Sequence, residues 1–254
     1  MADVIDYQIL GDDMQLVEIA LDPGEGVRAE VGAMMYMQGD VEMQTGTGGG
    51  LFSGLKRMVS GESFFITAFI NGGRNRAMAA FGAPYPGKII PIDIAAYGGS
   101  FLCQKDAYLC SAQGIDITVA FTKKLGAGLF GGEGFILQRL TGDGLAFIHA
   151  GGNVIKKTLG QGEVIRVDTG CLAGFAETVD YDIEFVGGFK NALFGGEGVF
   201  LAKMTGPGDV YLQSLPFSRL ADRITAAARY AQKGEQKGVA GIGGDILGGL
   251  LSGR

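Results

Sequence analysis

The feature that most constrains the fold is a glycine-rich hexapeptide that occurs twice. The sequence LFGGEG spans residues 129–134 and again 193–198, and a weaker copy, SGES, spans residues 60–63. The three copies align three glutamates at separations of 71 and 64 residues, namely Glu62, Glu133 and Glu197. A fixed period of this length indicates an internal repeat.

A second marker recurs with a similar period. The segments VRAE, IPID and IRVD each follow a glycine-containing turn and end an alternating apolar run with an acidic residue. These acidic residues, separated by 63 and 75 positions, are Glu30, Asp93 and Asp168. Two markers in the same order predict three copies of one unit, with approximate bounds 1–78, 79–145 and 146–217.

Short apolar runs closed by turns indicate that the unit is made of β-strands. The runs at 63–70, 134–140 and 198–204 end in NGG, TGDG and TGPGD, which are typical of hairpins. Further short strands follow every 8–12 residues, a spacing typical of a sandwich or barrel. Because no unit closes its own core, we predict an all-β body of three fused β-sandwich units around a pseudo-threefold axis.

The end of the chain has a different pattern. Leu220, Ile224 and Ala227 form one apolar stripe at helical spacing. This pattern predicts an amphipathic helix over 218–234, which we expect to pack on the β body. The remaining segment, 235–254, is rich in both glycine and aliphatic residues, unlike a polar flexible linker.

Charge and cysteine content narrow the class of function. The net charge of −6 disfavours nucleic acid as a partner, because such binding needs a basic surface. The three cysteines form no CxxC pair and are predicted to be buried thiols in a reducing compartment. Neither a signal peptide nor a membrane-spanning run is expected. We therefore expect a cytoplasmic protein, with peripheral contact to a membrane as an open alternative.

The segment GGLFSGLKRMVSGESFF, the two LFGGEG motifs and the TGDG and TGPGD turns resemble a known family. This is the family named in yeast for altered inheritance of mitochondria, together with its bacterial relatives of unknown function. The resemblance covers roughly residues 5–220. It implies three fused units with a fold similar to the trp RNA-binding attenuation protein, and a link to membrane organisation for the mitochondrial member. It transfers no catalytic residues.

The sequence offers no recognisable catalytic group. His149 is the only histidine, and no G-x-S-x-G motif accompanies it, so we interpret it as a strand-end histidine. Scattered cysteines do not supply a zinc site. The GLFGGEGF segment lacks the Lys-Ser/Thr of a phosphate loop and precedes a strand. The sequence therefore predicts a non-enzymatic protein without a cofactor or bound metal.

The repeated acidic residues have two interpretations. Around a threefold axis, Glu62, Glu133 and Glu197 could converge and bind a ligand or a hard cation through oxygen. Alternatively, each glutamate accepts N–H groups of its own glycine-rich turn, which explains the flanking glycines. The same two interpretations apply to Glu30 and its two counterparts, and the turn role is favoured for both sets.

Two apolar, glycine-rich segments are candidate interaction sites. The first, 48–59, carries Leu51 and Phe52. The second is the tail, with the candidates Ile246, Leu247, Leu250 and Leu251. Exposed apolar segments usually mark a partner or membrane surface, although the first could fold over the core and the second could simply fray.

Two functions follow from these patterns. The favoured one is a scaffold that self-associates and presents its tail to a protein partner or a membrane surface. The alternative is a module that binds a small ligand or cation in clefts between repeats.

Overall fold

The computed structural model describes residues 1–30, 32–44, 66–123, 135–186 and 199–228. Most of these residues lie in antiparallel β-strands, and a helix follows at the C-terminal end, which confirms the predicted all-β class. The chain divides into two compact units, Met1–Pro216 and Phe217–Arg254. The first is called the β body below.

The described strands of the β body form four sheets, numbered I to IV. Sheet I has the order β1-β2-β7-β4, with β1 Asp6–Leu10, β2 Leu16–Leu21, β7 Ala77–Gly82 and β4 Met34–Met37. Sheet II has the order β5-β6-β3-β10-β13-β8, with β5 Val41–Gln44, β6 Ile66–Asn71, β3 Gly26–Glu30, β10 Tyr108–Ala112, β13 Leu145–Gly151 and β8 Gly87–Asp93.

The other two sheets come from the second half of the β body. Sheet III has the order β11-β12-β9-β16-β19-β14, with β11 Asp116–Lys123, β12 Phe135–Thr141, β9 Ser100–Gln104, β16 Leu172–Ala176, β19 Gly208–Gln213 and β14 Val154–Leu159. Sheet IV has the order β15-β18-β17, with β15 Val164–Asp168, β18 Val199–Thr205 and β17 Asp180–Val186.

Sheets II and III have the same strand order once every strand number in sheet II is raised by six. The strands therefore fall into three groups in chain order: β2–β7, β8–β13 and β14–β19. This regularity supports the predicted repeat, whereas the pseudo-threefold axis remains a prediction. The predicted boundaries after residues 78 and 145 fall within β7 and β13. The turns that follow these two strands separate the groups instead.

Each strand group is divided between two neighbouring sheets. In sheet II, β3 of the first group pairs with β10 of the second, and Cys110 lies opposite Ala29. In sheet III, β9 of the second group pairs in the same way with β16 of the third, and Gly174 lies opposite Cys103. These two strand pairs, called the inner junctions below, join the groups through backbone hydrogen bonds.

Three hydrophobic cores lie between the successive sheets. On β13, Phe147 packs into the first core, between sheets I and II, while its neighbour Ile148 packs into the second core, between sheets II and III. The third core, which contains Phe175 and Ile183, lies between sheets III and IV. Since alternate side chains of a strand point to opposite faces, inner-sheet strands buried on both faces need continuous apolar runs.

The second inner junction is packed closely enough to require glycine. A Cβ atom at Gly174 would lie 2.7 Å from Cε1 of Phe101 and 2.9 Å from the carbonyl oxygen of Leu102. Both distances are shorter than a van der Waals contact. The missing side chain therefore lets β16 approach β9 and its aromatic neighbour.

The second compact unit begins with a helix, α1, described over residues 217–228. The rest of the predicted helix, to 234, and the tail lie outside the described residues, and helix packing on the β body remains a prediction. Ile224, from the predicted apolar stripe, is exposed. Within the described segments, no helix is both long and apolar enough to span a membrane.

None of the three cysteines, all of which lie in the described residues, is in a disulfide bond. Cys103 and Cys110 are buried in the inner sheets, and burial raises the pKa of both thiols above the ordinary range. Cys171 is only partly buried, so the prediction of three buried thiols is wrong for this residue. It lies in the short 3₁₀ turn Thr169–Cys171 that precedes β16.

Candidate interaction surface

A β-bulge occurs at the same place in three corresponding strands. The register shifts between Met34 and Tyr36 in β4, and at the matching positions of β10 and β16. The bulged residue is Met35 in β4, Leu109 in β10 and Ala173 in β16. Leu109 and Ala173 are 1% and 0% exposed, whereas Met35 is 56% exposed.

The burial of these bulged residues comes from the neighbouring strand group. Leu109 of the second group packs into the first core, and Ala173 of the third group packs into the second core. Each residue therefore contributes to the core of the preceding strand group. No described strand group precedes the one that contains β4, and Met35, Tyr36 and Met37 are all exposed. Strand β4 therefore exposes an apolar surface that its counterparts bury.

The outer face of sheet I holds Tyr36 in a defined position. Tyr36 lies opposite Ala80, which in turn lies opposite Glu18, so the three side chains share one face. The Tyr36 hydroxyl donates a hydrogen bond to the Glu18 carboxylate, and this bond raises the pKa of Tyr36. The ring is therefore anchored across the sheet, while Met34 packs against the first core.

Sheet IV, the last of the four sheets, has a second unpaired edge among the described strands. Among the described strands, β15 pairs only with β18, whereas its counterparts β3 and β9 each have a partner on both sides. Val164 on this strand is exposed. Nε of Arg166 lies 2.8 Å from Oε2 of Glu184 on β17, so its charge is directed along sheet IV.

Apolar side chains are also exposed on β17, at the far edge of sheet IV. Phe185 is 60% and Val186 is 46% exposed. The Phe185 ring packs on Phe200 of β18, with ring centroids 5.0 Å apart. Both outer sheets thus present apolar surface.

Most of the predicted site residues cannot be compared with the structure. The three aligned glutamates, Glu62, Glu133 and Glu197, lie outside the described residues. The six interaction candidates in the two glycine-rich segments also lie outside them, from Leu51 and Phe52 to Ile246, Leu247, Leu250 and Leu251. Their proposed roles remain predictions.

Two residues of the second acidic set hold turns. Oδ1 of Asp93 accepts backbone N–H groups of Ala95 and Ala96 at 3.1 and 3.4 Å. Oδ1 of Asp168 accepts the backbone N–H of Gly170 at 2.9 Å. Both contacts are those that the turn interpretation predicts.

The predicted alignment of Glu30, Asp93 and Asp168 is wrong for its middle member. Glu30 ends β3 and Asp168 ends β15, which are corresponding strands, but Asp93 ends β8. The position that matches in the second group is Gln104, at the end of β9. An acidic residue after an apolar run recurs on two different strands, so the motif alone did not identify the strand.

Glu30 ends β3 at the first inner junction, and although the residue as a whole is exposed, neighbouring groups crowd its carboxyl enough to shift its pKa. Desolvation and the negative charge of Asp106 raise the pKa of Glu30 to about 7, and Lys105 opposes them. The same two carboxylates contribute to the raised pKa of Tyr85, after desolvation. Within the described ranges, no three Cys, His, Asp or Glu side chains group closely enough to hold a metal ion.

His149 is an interior residue of β13 rather than the strand-end histidine that the sequence predicted. It is 1% exposed, and its ring packs edge-on against Tyr85 with centroids 4.4 Å apart. Neither ring nitrogen makes a hydrogen bond. Burial lowers the pKa of His149 to about 4, with the backbone of Tyr85 acting weakly in the opposite sense. The imidazole is therefore neutral at physiological pH.

Sequence reasoning missed the exposed strand β4. The segment MMYM is apolar and reads as a buried strand, so nothing in its composition indicates exposure. The available signal was its position: β4 belongs to the first of the described strand groups, and no earlier described group covers it.

The β body defines a class of all-β protein in which successive strand groups share sheets. A model of the family described as "Mitochondrial biogenesis AIM24" matches residues 7–215, and the chain belongs to this family. It is 30% identical over 217 residues to the uncharacterized protein M6_Spy0233 of Streptococcus pyogenes, covering 82% of this chain and 85% of the relative.

A solved structure supports the same fold. The crystal structure of protein SPYM3_0169 from Streptococcus pyogenes superimposes with a TM-score of 0.71 at 26% sequence identity. The match covers 88% of this chain and 99% of the other.

Proposed function

We propose that this protein is a non-enzymatic scaffold that binds other macromolecules through the apolar outer surface of its β body. The observation that carries the proposal is the exposure of Met35 at a position where the two corresponding residues are almost completely buried. Exposed apolar residues on consecutive positions of one strand are typical of an interaction site.

The rigidity of the β body supports a scaffold role. The inner strands β10, β13 and β16 of two sheets are buried on both faces, and three cores connect all four sheets. A framework of this kind holds its outer edges at fixed positions. Binding would then require little ordering of the scaffold, which lowers the entropic cost of association.

A membrane surface is a further partner within this proposal. Phe185 and Val186 are apolar groups of the kind that insert at a lipid interface. The net charge of −6 opposes attraction to anionic lipids, so apolar contact would have to dominate. The glycine-rich tail remains the second candidate for this contact.

Light scattering after size exclusion, together with flotation on vesicles, tests the scaffold proposal. The proteins compared are the full chain, a chain lacking residues 238–254 and a Met35→Lys variant. Vesicles of phosphatidylcholine, with and without phosphatidylglycerol, are the lipid probes. We expect self-association or vesicle binding in the full chain, weakened by lysine at Met35.

Met14→Lys is the matched control, because Met14 is 61% exposed but lies outside β4. A full chain that remains strictly monomeric and ignores both vesicles would contradict the proposal. Equal losses in the Met35→Lys and Met14→Lys variants would contradict the assignment to β4.

A small-ligand or cation module is the second candidate function, and Glu30 is the observation that favours it. A carboxyl whose pKa is raised to about 7 beside Asp106 is a group that a cation would stabilise in its ionised form. Thermal shift with Mg²⁺ and Ca²⁺ at pH 8 tests this function. The variants Glu30→Gln, Glu133→Ala and Glu197→Ala then show which carboxylates contribute, and no shift with either ion would exclude a cation site.

A further inference from the structure

The two unpaired edges of the β body, on β15 and β4, correspond to the two strands that pair at each inner junction. In sheets II and III, the inner junctions join β3 to β10 and β9 to β16. The remaining strands of the same two kinds are β15, in sheet IV, and β4, in sheet I. Among the described strands, neither has a partner at the edge that its counterparts use.

We propose that β15 of one copy of this protein pairs antiparallel with β4 of a second copy. The combined sheet has the order β17-β18-β15-β4-β7-β2-β1. Apart from β1, this is the strand order of sheets II and III. The inference rests on the proposed scaffold function and names its partner.

The inner junctions fix the register of this pairing. The residue after the bulge, Cys110 or Gly174, lies opposite Ala29 or Cys103. In the third group, the residue that corresponds to Ala29 is Val167. Tyr36 therefore lies opposite Val167 of the neighbouring copy.

The next two residue pairs follow from the same register. Ser111 and Phe175 lie opposite Arg28 and Leu102. These positions correspond to Met37 opposite Arg166, and Gln38 opposite Ile165 comes next.

The pairing also explains the exposed bulge. At the inner junctions, Leu109 and Ala173 enter the core before their own group. In the assembled form, Met35 enters the third core of the neighbouring copy in the same way. Its exposed side chain is then buried without any change of fold.

The edge strands lack the usual devices that prevent such pairing. Exposed edge strands are typically protected by lysine, proline or inward-pointing charge. Strand β4, MMYM, contains none of these residues. On β15 the only basic side chain, Arg166, is held by Glu184. Among the described strands, neither edge is paired or protected by such a residue.

The symmetry of the assembly follows from the use of two different edges. Because the β15 edge of one copy meets the β4 edge of the next, the contact is heterologous. Such contacts form rings if the rotation closes and open chains if it does not. The assembly is therefore a closed ring of two or more copies, or an open chain.

Disulfide capture at the opposed positions tests the pairing. The variants Tyr36→Cys and Val167→Cys are made singly and together in a Cys171→Ser background, since Cys171 is the only native cysteine that is not buried. When the Tyr36→Cys and Val167→Cys single variants are mixed, we expect them to form a disulfide-linked dimer on mild oxidation. The double variant should give crosslinked dimers from a two-copy ring, or a ladder of multimers from a larger ring or an open chain. Each single variant alone should remain largely uncrosslinked.

A double variant that oxidises to a crosslinked monomer would overturn the inference, because the two edges would then meet within one chain. Absence of any crosslink in folded protein would also overturn it. In both cases the scaffold proposal would survive if vesicle binding persisted. Far-ultraviolet circular dichroism confirms that each variant is folded.

A charge substitution gives a second test that requires no cysteine. Lysine at Met37 faces Arg166 of the neighbouring copy, and like charges on opposed strands destabilise a sheet. We expect Met37→Lys to weaken self-association at least tenfold by sedimentation velocity, whereas Met14→Lys leaves it unchanged. Equal self-association of the unmodified protein, the Met37→Lys variant and the Met14→Lys variant would contradict the pairing.

Discussion

Strands β4 and β10 have the same place in their groups but very different surroundings. Both carry the same bulge, yet Met35 is 56% exposed and Leu109 is 1% exposed. The difference lies in the neighbouring strand group: β10 is covered by the first group, whereas no described group precedes the one that contains β4. The burial of a strand in this fold therefore depends on the neighbouring strand group and not only on the strand's own sequence.

Leu109→Ala gives the largest expected effect on this comparison. Truncating a fully buried leucine leaves a cavity and should lower the free energy of unfolding by about 2–5 kcal/mol. Urea unfolding at pH 7 measures the loss. A loss below about 1 kcal/mol would show that the first core does not depend on the second group.

The buried His149, on the strand that pairs with β10, tests the burial of this inner region through its pH dependence. Its pKa is about 4 in the folded protein and 6.5 ordinarily, so the unfolded chain binds the proton more readily. The contribution of neutral His149 to the free energy of unfolding is fully present above pH 6.5. It decreases as the pH falls towards 4, by on the order of 3 kcal/mol. His149→Leu should remove this loss, as urea midpoints at pH 7, 5.5 and 4.5 would reveal. An unchanged pH profile in the variant would contradict the assignment.

Asp209 reports on a contact between the second and third groups. Desolvation of its carboxylate is outweighed by hydrogen bonds from Lys156, Thr158 and Tyr97, so its pKa lies below 3.8. Its Oδ2 lies 2.8 Å from Nζ of Lys156 and 3.0 Å from the Tyr97 hydroxyl. The stabilisation is present above the ordinary pKa and is lost as the pH falls through the lowered one.

Asp209→Asn should therefore cost about 1–2 kcal/mol at neutral pH and less in acid. Thermal unfolding at pH 7 and pH 3 checks this. Asp116→Asn, at an exposed position, is the control and should change neither value. A loss equal at both pH values would contradict the ionic origin of the effect.

Met35→Ala completes the comparison with the smallest expected effect. In dilute, monomeric protein the free energy of unfolding should change by no more than about 0.5 kcal/mol, because the side chain is largely solvated. The same urea series as for Leu109→Ala measures it. A loss as large as that of Leu109→Ala would mean that Met35 is already covered within one chain.

The sequence predicted the fold class well, because strand patterns and turn motifs are local. The TGDG and TGPGD turns do follow β12 and β18, and the all-β class with a C-terminal helix is confirmed. The equivalence of Asp93 with Glu30 is wrong, since a four-residue motif does not reveal which strand of a group carries it. Burial of all three cysteines was also too broad a prediction, because the exposure of Cys171 depends on the turn around it.

The sharing of sheets was beyond sequence reasoning for a physical reason. Residue periodicity reports whether a strand has one or two buried faces, but it does not identify the neighbouring strand. The pairing of β3 with β10 joins residues about eighty positions apart, such as Cys110 and Ala29. The exposure of Met35 depends on this long-range pairing, so the candidate surface became visible only in the folded chain.

The division of each strand group between two sheets has a consequence for synthesis on the ribosome. The first core includes Ile89, Leu109 and Phe147 as well as residues of the first group. A growing chain must therefore have extended past β13 before that core can close. A nascent fragment that ends after β7 would lack Ile89, Leu109 and Phe147 and would therefore expose an incomplete sheet and a partly open first core, which makes it a natural client for chaperones until translation proceeds.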